Sequence, residues 1–313
     1  MKKYLKVVYK HLKAKFPRQF KKLQEIRMEK YYKYLKSLDR SEYPKELSKI
    51  YKKNTGEALN WENIRSYNEK MQWAKIYDMD PRKTILADKY LVREWVKDKI
   101  GEEHLIPLLG VWNSFNEIDF DSLPNRFVLK TNHGSSTNLI VKDKNDLDKN
   151  EAKQLFDRWM SLNFAFLNGF EMHYKDIPPK IIAEQYMDNE GRELEDYKFL
   201  CFDGHVSYCW IDVNRYSDHR RNIYDIDWNL QKWQQHNYKN TDNSIVKPNN
   251  FDLMVRLAEK LAKGFSHVRV DFYNINGKVY FGEMTFTNGS GFELIHPIEY
   301  NLMLGHMWEF AHK

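Results

Sequence analysis

A tight Asn276-Gly277 turn between two runs of β-branched and aromatic residues constrains this chain more than any other feature. The segment His267 to Phe292, HVRVDFYNINGKVYFGEMTFTNGSGF, reads as an antiparallel hairpin. Asn-Gly supplies the two positive φ angles that a two-residue connection needs. Each strand carries an acid among apolar residues, Asp271 on the first and Glu283 on the second. Folding at Asn276-Gly277 brings the two near each other, short of perfect register. Two carboxylates in a buried sheet are costly unless a cation shares the site. Mg²⁺ suits such a pair, because it takes one or two carboxylates plus substrate phosphate oxygens. A half-exposed hairpin with two solvent-facing acids would give the same pattern.

A chain of 313 residues holds two modest lobes, or one large domain with an appendage. Its 42% hydrophobic and 15% aromatic content can fill a core. No run approaches the ~18 apolar residues of a membrane-spanning helix, and lysines interrupt the first sixteen residues too often for an export signal. A cytoplasmic protein is the expectation. Cys201 and Cys209 fall in apolar strand-like sequence and read as reduced core thiols, without a disulfide or zinc framework.

Charge is unevenly placed. Residues 1–53 carry 18 Lys and Arg against 5 Asp and Glu, a balance of +13, which leaves −7 on the remainder. Leu5, Val8, Tyr9, Leu12 and Phe16 recur at helical spacing between lysines. That pattern suits a basic amphipathic helix on an anionic membrane surface, so residues 1–16 are expected to hold the protein peripherally at the inner face of the membrane. A helix packed on the protein's own body is the alternative. Nucleic acid is not an expected partner, since no recognition module follows and the rest of the chain is acidic.

Helices are expected over residues 1–53, broken at Pro17 and near Pro44, then over 60–78, over ILADKYLVREWVKDKI with Thr84 as cap, over 149–166, and over 250–263 with Gly264 as stop. Strands are expected at IPLLGVW, 126–130, 139–142, 180–187, and as a hairpin 197–202/205–213 about Asp203-Gly204. Frequent hairpins among helices make the class α+β.

Four constellations point toward anion chemistry. Lys130 ends a strand before the small-residue stretch 131–138, where Gly134, Ser135 and Ser136 would let backbone N–H groups and hydroxyls approach a phosphate. No Gly-Lys-Ser/Thr opens a helix there, so this is not a Walker loop, and a hairpin with a polar turn fits the same residues. The strand end Glu184-Gln185-Tyr186-Met187 could read a purine through backbone groups while side chains sandwich the ring. Lys198 opens the next strand and could meet a phosphate. Arg215, His219, Arg220 and Arg221 cluster after a strand, where guanidinium forks match phosphate or carboxylate oxygens. Nothing in the sequence pairs His219 with a nucleophile. Asp225-Ile226-Asp227 is the kind of string that holds Mn²⁺ and a sugar nucleotide in a glycosyltransferase, but it lacks a second supporting site.

Taken in order, LADKYLVREWV, FVLKTNHGSSTNLIV, IIAEQYM, DYKFLCFDG, DHRRNIYDIDWN and the hairpin segment resemble the ATP-grasp fold, and within it the TupA-like branch. That branch is linked to bacterial capsular, cell-surface polysaccharide and teichuronopeptide synthesis. The resemblance covers roughly residues 68–300. It implies two α+β lobes gripping ATP, a first over 61–187 with its preceding helices and a second over 188–313 with the metal site. Residues 1–60 would be a basic helical extension where the family usually has a Rossmann-like lobe. It further implies that Lys89 and Lys130 face the nucleotide phosphates under a mobile loop at 134–137. Glu184 to Met187 would form the adenine hinge, and Lys198 would approach the α-phosphate or ribose. Asp271 and Glu283 would hold Mg²⁺, while Arg269 with Arg215 and Arg220 of the basic loop would neutralise the transferring phosphoryl group. Thr285 stands where the family's Glu-x-Asn motif has asparagine, with Asn288 three residues on. The implied activity is a carboxylate–amine ligase working through an acylphosphate. Its implied substrates are a carboxylate-bearing sugar or glycan and an amine or amino acid. A sugar kinase on the same fold, or a glycosyltransferase of the same pathway, are the alternatives.

Overall fold

The computed structural model describes residues 17–189, 194–213, 218–241 and 245–309; residues 1–16, on which the membrane expectation rests, and Arg215 lie outside them. Contacts divide the chain into residues 1–46 and 47–313. In the first unit, α1 (Pro17–Ser37) begins at Pro17. Pro44 is likewise the second residue of α2 (Tyr43–Thr55). Both prolines stand in the first turn of a helix, where there is no N–H partner to lose, and the break expected near Pro44 falls between Ser37 and Tyr43. Tyr31 and Tyr34 stack at 6.1 Å, and their hydroxyls donate to Glu46 at 3.2 and 3.3 Å.

The second unit is built on two antiparallel sheets. The first has the order β1-β4-β2-β3, from β1 (Leu108–Trp112), β2 (Phe127–Thr131), β3 (Asn138–Val141) and β4 (Ile181–Gln185). The second contains β5 (Asp196–Phe202), β6 (His205–Val213), β7 (Arg220–Asp225), β9 (His267–Ile275) and β10 (Lys278–Thr285), in the order β10-β9-β5-β6-β7. The short strands β8 (Gln234–Gln235) and β11 (Ile295–His296) pair with each other. Three helices precede the sheets: α3 (Tyr67–Tyr77), α4 (Pro81–Ala87) and α5 (Val92–Ile100). Three more follow strands: α6 (Lys149–Met160), α7 (Phe251–Ala262) and α8 (Ile298–Met307).

Helix α4 does not start at Thr84. Asp80 caps it by accepting the Arg82 N–H, with Pro81 at the first helical position, and the chain breaks again over 88–91 before α5. An Asp-Pro pair is a stronger start than a mid-run threonine.

Period-2 alternation gives the second sheet two different faces. One packs on α7, burying Phe199, Val270 and Phe272 against Met254, Leu257 and Leu261, and α4 and α5 add Leu86, Val92 and Val96 to that cluster. Burial of each such side chain contributes about 1.5–3 kcal/mol. The opposite face is apolar toward one end, where Leu200, Trp210 and Ile223 meet Tyr67 and Met71 of α3 and Leu304 of α8. Two residues further along the same strands it turns polar, at Lys198, Asp212 and Arg221. In the first sheet, Phe127, Leu129, Ile181 and Ala183 pack on Ala152 and Phe156 of α6, which leaves Lys130 and Glu184 on the opposite face.

Candidate active site

The hairpin forms as its turn dictates, with φ of 51° at Asn276 and 80° at Gly277. Pairing runs regularly from Ile275↔Lys278 to Phe272↔Phe281, then shifts by one residue, so that Glu283 pairs with Asp271. Without that shift Glu283 would sit opposite Val270, on the core face. The extra residue is Gly282, a β-bulge that re-aims the glutamate onto the polar face. A Cβ there would lie 3.1 Å from the Asp271 carbonyl oxygen.

Arg269, two residues before Asp271, shares its face. Its Nε and Nη2 donate to Asp271 Oδ1 and Oδ2 at 2.7 Å each, and Nη2 also donates to Glu283 Oε1 at 2.9 Å and Thr285 Oγ1 at 3.1 Å. Burial would lower the Arg269 pKa, but Asp271 and Glu283 raise it further than burial lowers it. Burial would raise Glu283, yet Arg269, Lys89 and Lys198 bring it down to about 2. Asp271 is nearly dry, whereas 39% of the Glu283 side chain is exposed.

These residues fit a magnesium ion. Asp271 and Glu283 are hard oxygen donors on neighbouring strands, with the Thr285 hydroxyl 2.9 Å from Glu283 Oε1. Among the described residues no group of three or more His, Cys, Asp or Glu is arranged to hold a metal. Two carboxylates are what Mg²⁺ uses when phosphates and water complete its shell. Asn288 is turned elsewhere, toward the Tyr67 hydroxyl at 2.6 Å.

Lys198 pairs across the ladder with Asp271. Its Nζ lies 3.0 Å from Asp271 Oδ2, 3.2 Å from Asp196 Oδ2 and 3.9 Å from Asp212 Oδ2. Asp212 is gripped by Arg221, whose Nε and Nη2 reach its two oxygens at 2.6 and 2.8 Å. That grip holds the Asp212 pKa far below the usual carboxylate range, against burial. Arg220 alternates to the other face of β7 and binds Asp218 and the Asn240 carbonyl, so Arg221 is the guanidinium of this pair that the sheet presents here. A line of charge thus crosses four strands, from Arg269 through Asp271, Lys198 and Asp212 to Arg221.

The first sheet contributes lysines. Lys130 Nζ bonds Glu184, which Arg93 also approaches at 3.7 Å. Lys89 Nζ reaches the Gly134 carbonyl. Burial depresses the Lys89 ammonium and Lys130 adds to this, while Glu283 and Glu184 oppose it. Lys89 is therefore within electrostatic reach of both sheets. Buried Asn132 holds it there: the Lys89 N–H donates to the Asn132 carbonyl at 3.0 Å, and Asn132 Nδ2 donates to Asp88 Oδ2 at 2.9 Å. In the loop, a Cβ on Gly134 would lie 2.4 Å from the Phe164 ring, which reserves that position for glycine. Ser135 and Ser136 are exposed, and Ser136 has φ of 58°. At the strand end, the Gln185 N–H is committed to the Pro107 carbonyl at 3.0 Å, Arg126 lies over the Tyr186 ring at 4.1 Å, and Met187 is half-buried.

Sequence reasoning missed Asp212, Asn132 and Arg93, whose partners lie on other strands or loops. The Asp225-Ile226-Asp227 string closes a turn. Both Asp225 oxygens are hydrogen-bonded, to the N–H groups of Asp227 and Asn229 and to the amides of Asn229 and Gln231.

Two antiparallel sheets, one presenting lysines and the other paired carboxylates around an arginine, define the ATP-grasp class. Residues 69–309 match the TupA-like ATP-grasp family, and the chain belongs to it. Similar solved structures include D-alanine–D-alanine ligase from Bacillus anthracis in complex with ATP (15% identity, 72% of this chain and 68% of that one, TM-score 0.38). Another is the D-alanine–D-alanine ligase of Helicobacter pylori (15%, 78% and 69%, 0.40). N5-carboxyaminoimidazole synthase from Aspergillus clavatus, with ADP and 5-aminoimidazole ribonucleotide, is a third (14%, 64% and 44%, 0.37). The chain spans roughly half to two thirds of the length of such relatives. No curated protein matches the chain.

Proposed function

We propose that the protein uses ATP and Mg²⁺ to join a carboxylate to an amine through an acylphosphate. The carboxylate is a uronic acid or similar group of a capsular or cell-surface glycan, and the partner is an amine or amino acid. The observation that carries this reading is the set of Lys89, Lys198 and Arg269 around the Asp271–Glu283 pair, with Lys130 on the first sheet within electrostatic reach of Lys89. Four cations suit the charge of a triphosphate, and two adjacent carboxylates suit the metal that accompanies it. Bound there, Mg²⁺ would neutralise phosphate charge. Lys89 and Lys130 would bind phosphate oxygens, with Gly134, Ser135 and Ser136 above them. Glu184 to Met187 would flank the base, and Arg269 would stabilise charge that develops on the transferring phosphoryl group. Such chemistry depends on positioning and charge neutralisation more than on a protein nucleophile. In this reading residues 61–187 and 188–313 are the two gripping lobes, and the basic segment 1–60, residues 1–16 above all, holds the enzyme at an anionic membrane surface near a lipid-linked glycan. No described helix is long and apolar enough to cross a membrane.

The test is a screen of uronic acids against amino acids and simple amines, with ADP and phosphate release as readout. Release that requires both a carboxylate and an amine supports the ligase. Release with a sugar alone, giving a stable sugar phosphate, would replace it with a kinase.

A further inference from the structure

One dyad beside the proposed phosphoryl-transfer site is given no role in ATP or metal binding by the reading above. His219 stands just before β7 with Nε2 3.2 Å from Asp212 Oδ1. Asp212 is almost wholly buried and cannot swing away, because Arg221 holds both of its oxygens. The imidazole lies against the Tyr238 ring, 4.5 Å between centroids, and Arg221 lies over the same ring at 4.3 Å. His219 Nε2 is buried and lacks a well-aligned hydrogen bond at this distance. Catalytic contacts of this kind commonly tighten only when substrate is bound. A carboxylate at one ring nitrogen fixes the tautomer and leaves the other nitrogen as the proton acceptor. That nitrogen, Nδ1, belongs to a ring whose side chain is 26% exposed.

The position matters. From Asp212 the charge line continues to Lys198 at 3.9 Å and from there to Asp271 at 3.0 Å. His219 is thus separated by two side chains, Asp212 and Lys198, from the carboxylate that the proposed function assigns to the metal. Besides Asp212 and Tyr238, the charged groups around it are Arg221, Lys198 beyond Asp212, and the neighbouring Asp218, which is tied to Arg220.

We infer that His219, oriented by Asp212, is the general base that deprotonates the attacking amine in the second half of the ligase reaction. The inference rests on the ligase reading above. An amine reaches the site as an ammonium ion and has no lone pair until it loses a proton. Nδ1 of His219 takes that proton. The freed lone pair forms the C–N bond at the acylphosphate carbonyl, and the C–O bond to phosphate breaks with its electron pair leaving on the phosphate. The nitrogen's remaining surplus proton goes to that phosphate. His219 then returns its proton to solvent.

The test uses the carboxylate and amine found in the screen and compares wild type with His219→Asn and His219→Gln. Each enzyme is assayed with the amine and, separately, with hydroxylamine, which is already unprotonated at neutral pH and traps the acylphosphate as a hydroxamate. The inference predicts that amide formation falls about 100-fold, the scale of lost general-base catalysis, while hydroxamate formation stays within about threefold of wild type. The basic-nucleophile limb of the pH profile should vanish in the variants, and added imidazole should partly restore His219→Ala. Equal losses with both nucleophiles would mean that His219 only supports the fold, and no loss with either would remove it from the reaction. If wild type itself gives neither amide nor hydroxamate with any pair, the ligase reading falls and this assignment falls with it.

Discussion

Replacing Lys198 with methionine should cost more than any surface change, and the cost should depend on pH in a defined way. Lys198 Nζ sits between Asp271, Asp196 and Asp212 at 3.0, 3.2 and 3.9 Å, and the side chains are 7%, 3%, 3% and 1% exposed in that order. Methionine fills similar volume but leaves the carboxylates facing one another. Removing one partner of a buried pair typically costs about 3–5 kcal/mol. Arg269 and Arg221 still neutralise Asp271 and Asp212, so the lower figure, ~3 kcal/mol, applies, and the thermal midpoint should drop by about 6–12 °C. Burial would lower the Lys198 pKa, but Asp271 and Asp196 outweigh it and the pKa is raised. A lysine whose folded pKa is raised contributes its full stabilisation below its unfolded pKa, and loses it only as pH rises through the folded value. Between pH 4 and 8 the wild-type lysine term is therefore constant. Any narrowing of the gap toward pH 4 then comes from stranded carboxylates in the variant taking up protons. Urea unfolding of both proteins at pH 7.5 and pH 4.5 measures this. A deficit under 1 kcal/mol at pH 7.5, or one that does not shrink on acidification, would refute the reasoning.

Other substitutions separate the parts of the site. Gly282→Ala should lower stability by about 1 kcal/mol and weaken Mg²⁺-dependent ATP binding several-fold, since its Cβ presses on the Asp271 backbone at 3.1 Å; calorimetry and melting curves read the two effects. Lys130→Met should weaken ATP binding at least tenfold, roughly 1.4 kcal/mol, with little change in melting temperature. Burial pushes the His267 imidazole down to about 3, its Nδ1 bonded to the Cys201 carbonyl and Nε2 to the Tyr67 hydroxyl. The unfolded chain protonates first, so its stability contribution is full above about pH 6.5 and falls as pH drops toward 3, by about 1.4 kcal/mol per pH unit. His267→Gln should flatten that acid limb in melts taken between pH 7.5 and 4.5. Deleting residues 1–16 should abolish binding to anionic vesicles in a sedimentation assay, and unchanged binding would remove the membrane role.

Much of the fold was legible because its signals are local. Asn276-Gly277 and Asp203-Gly204 declare their hairpins through positive φ, and the α7 segment shows its apolar stripe and its Gly264 stop. What escaped depends on contacts far apart in sequence. Gly282 reads as an ordinary strand glycine until the register shift is seen. Asp212 sits in an apolar run, and its neighbours Lys198, Arg221 and His219 meet it only once β5, β6 and β7 are aligned. Lys75 reads as a solvated helix lysine, yet it is buried and donates to the Asn168 and Ser290 carbonyls. Arg220 and Arg221 are indistinguishable in sequence, and strand alternation alone separates them.

The most direct test of the central claim is calorimetric titration of ATP, with and without Mg²⁺, into wild type and Glu283→Gln. The account predicts binding that requires Mg²⁺ and weakens at least tenfold in the variant. ATP binding indifferent to both, or no ATP binding alongside clear binding of a UDP-sugar, would contradict it.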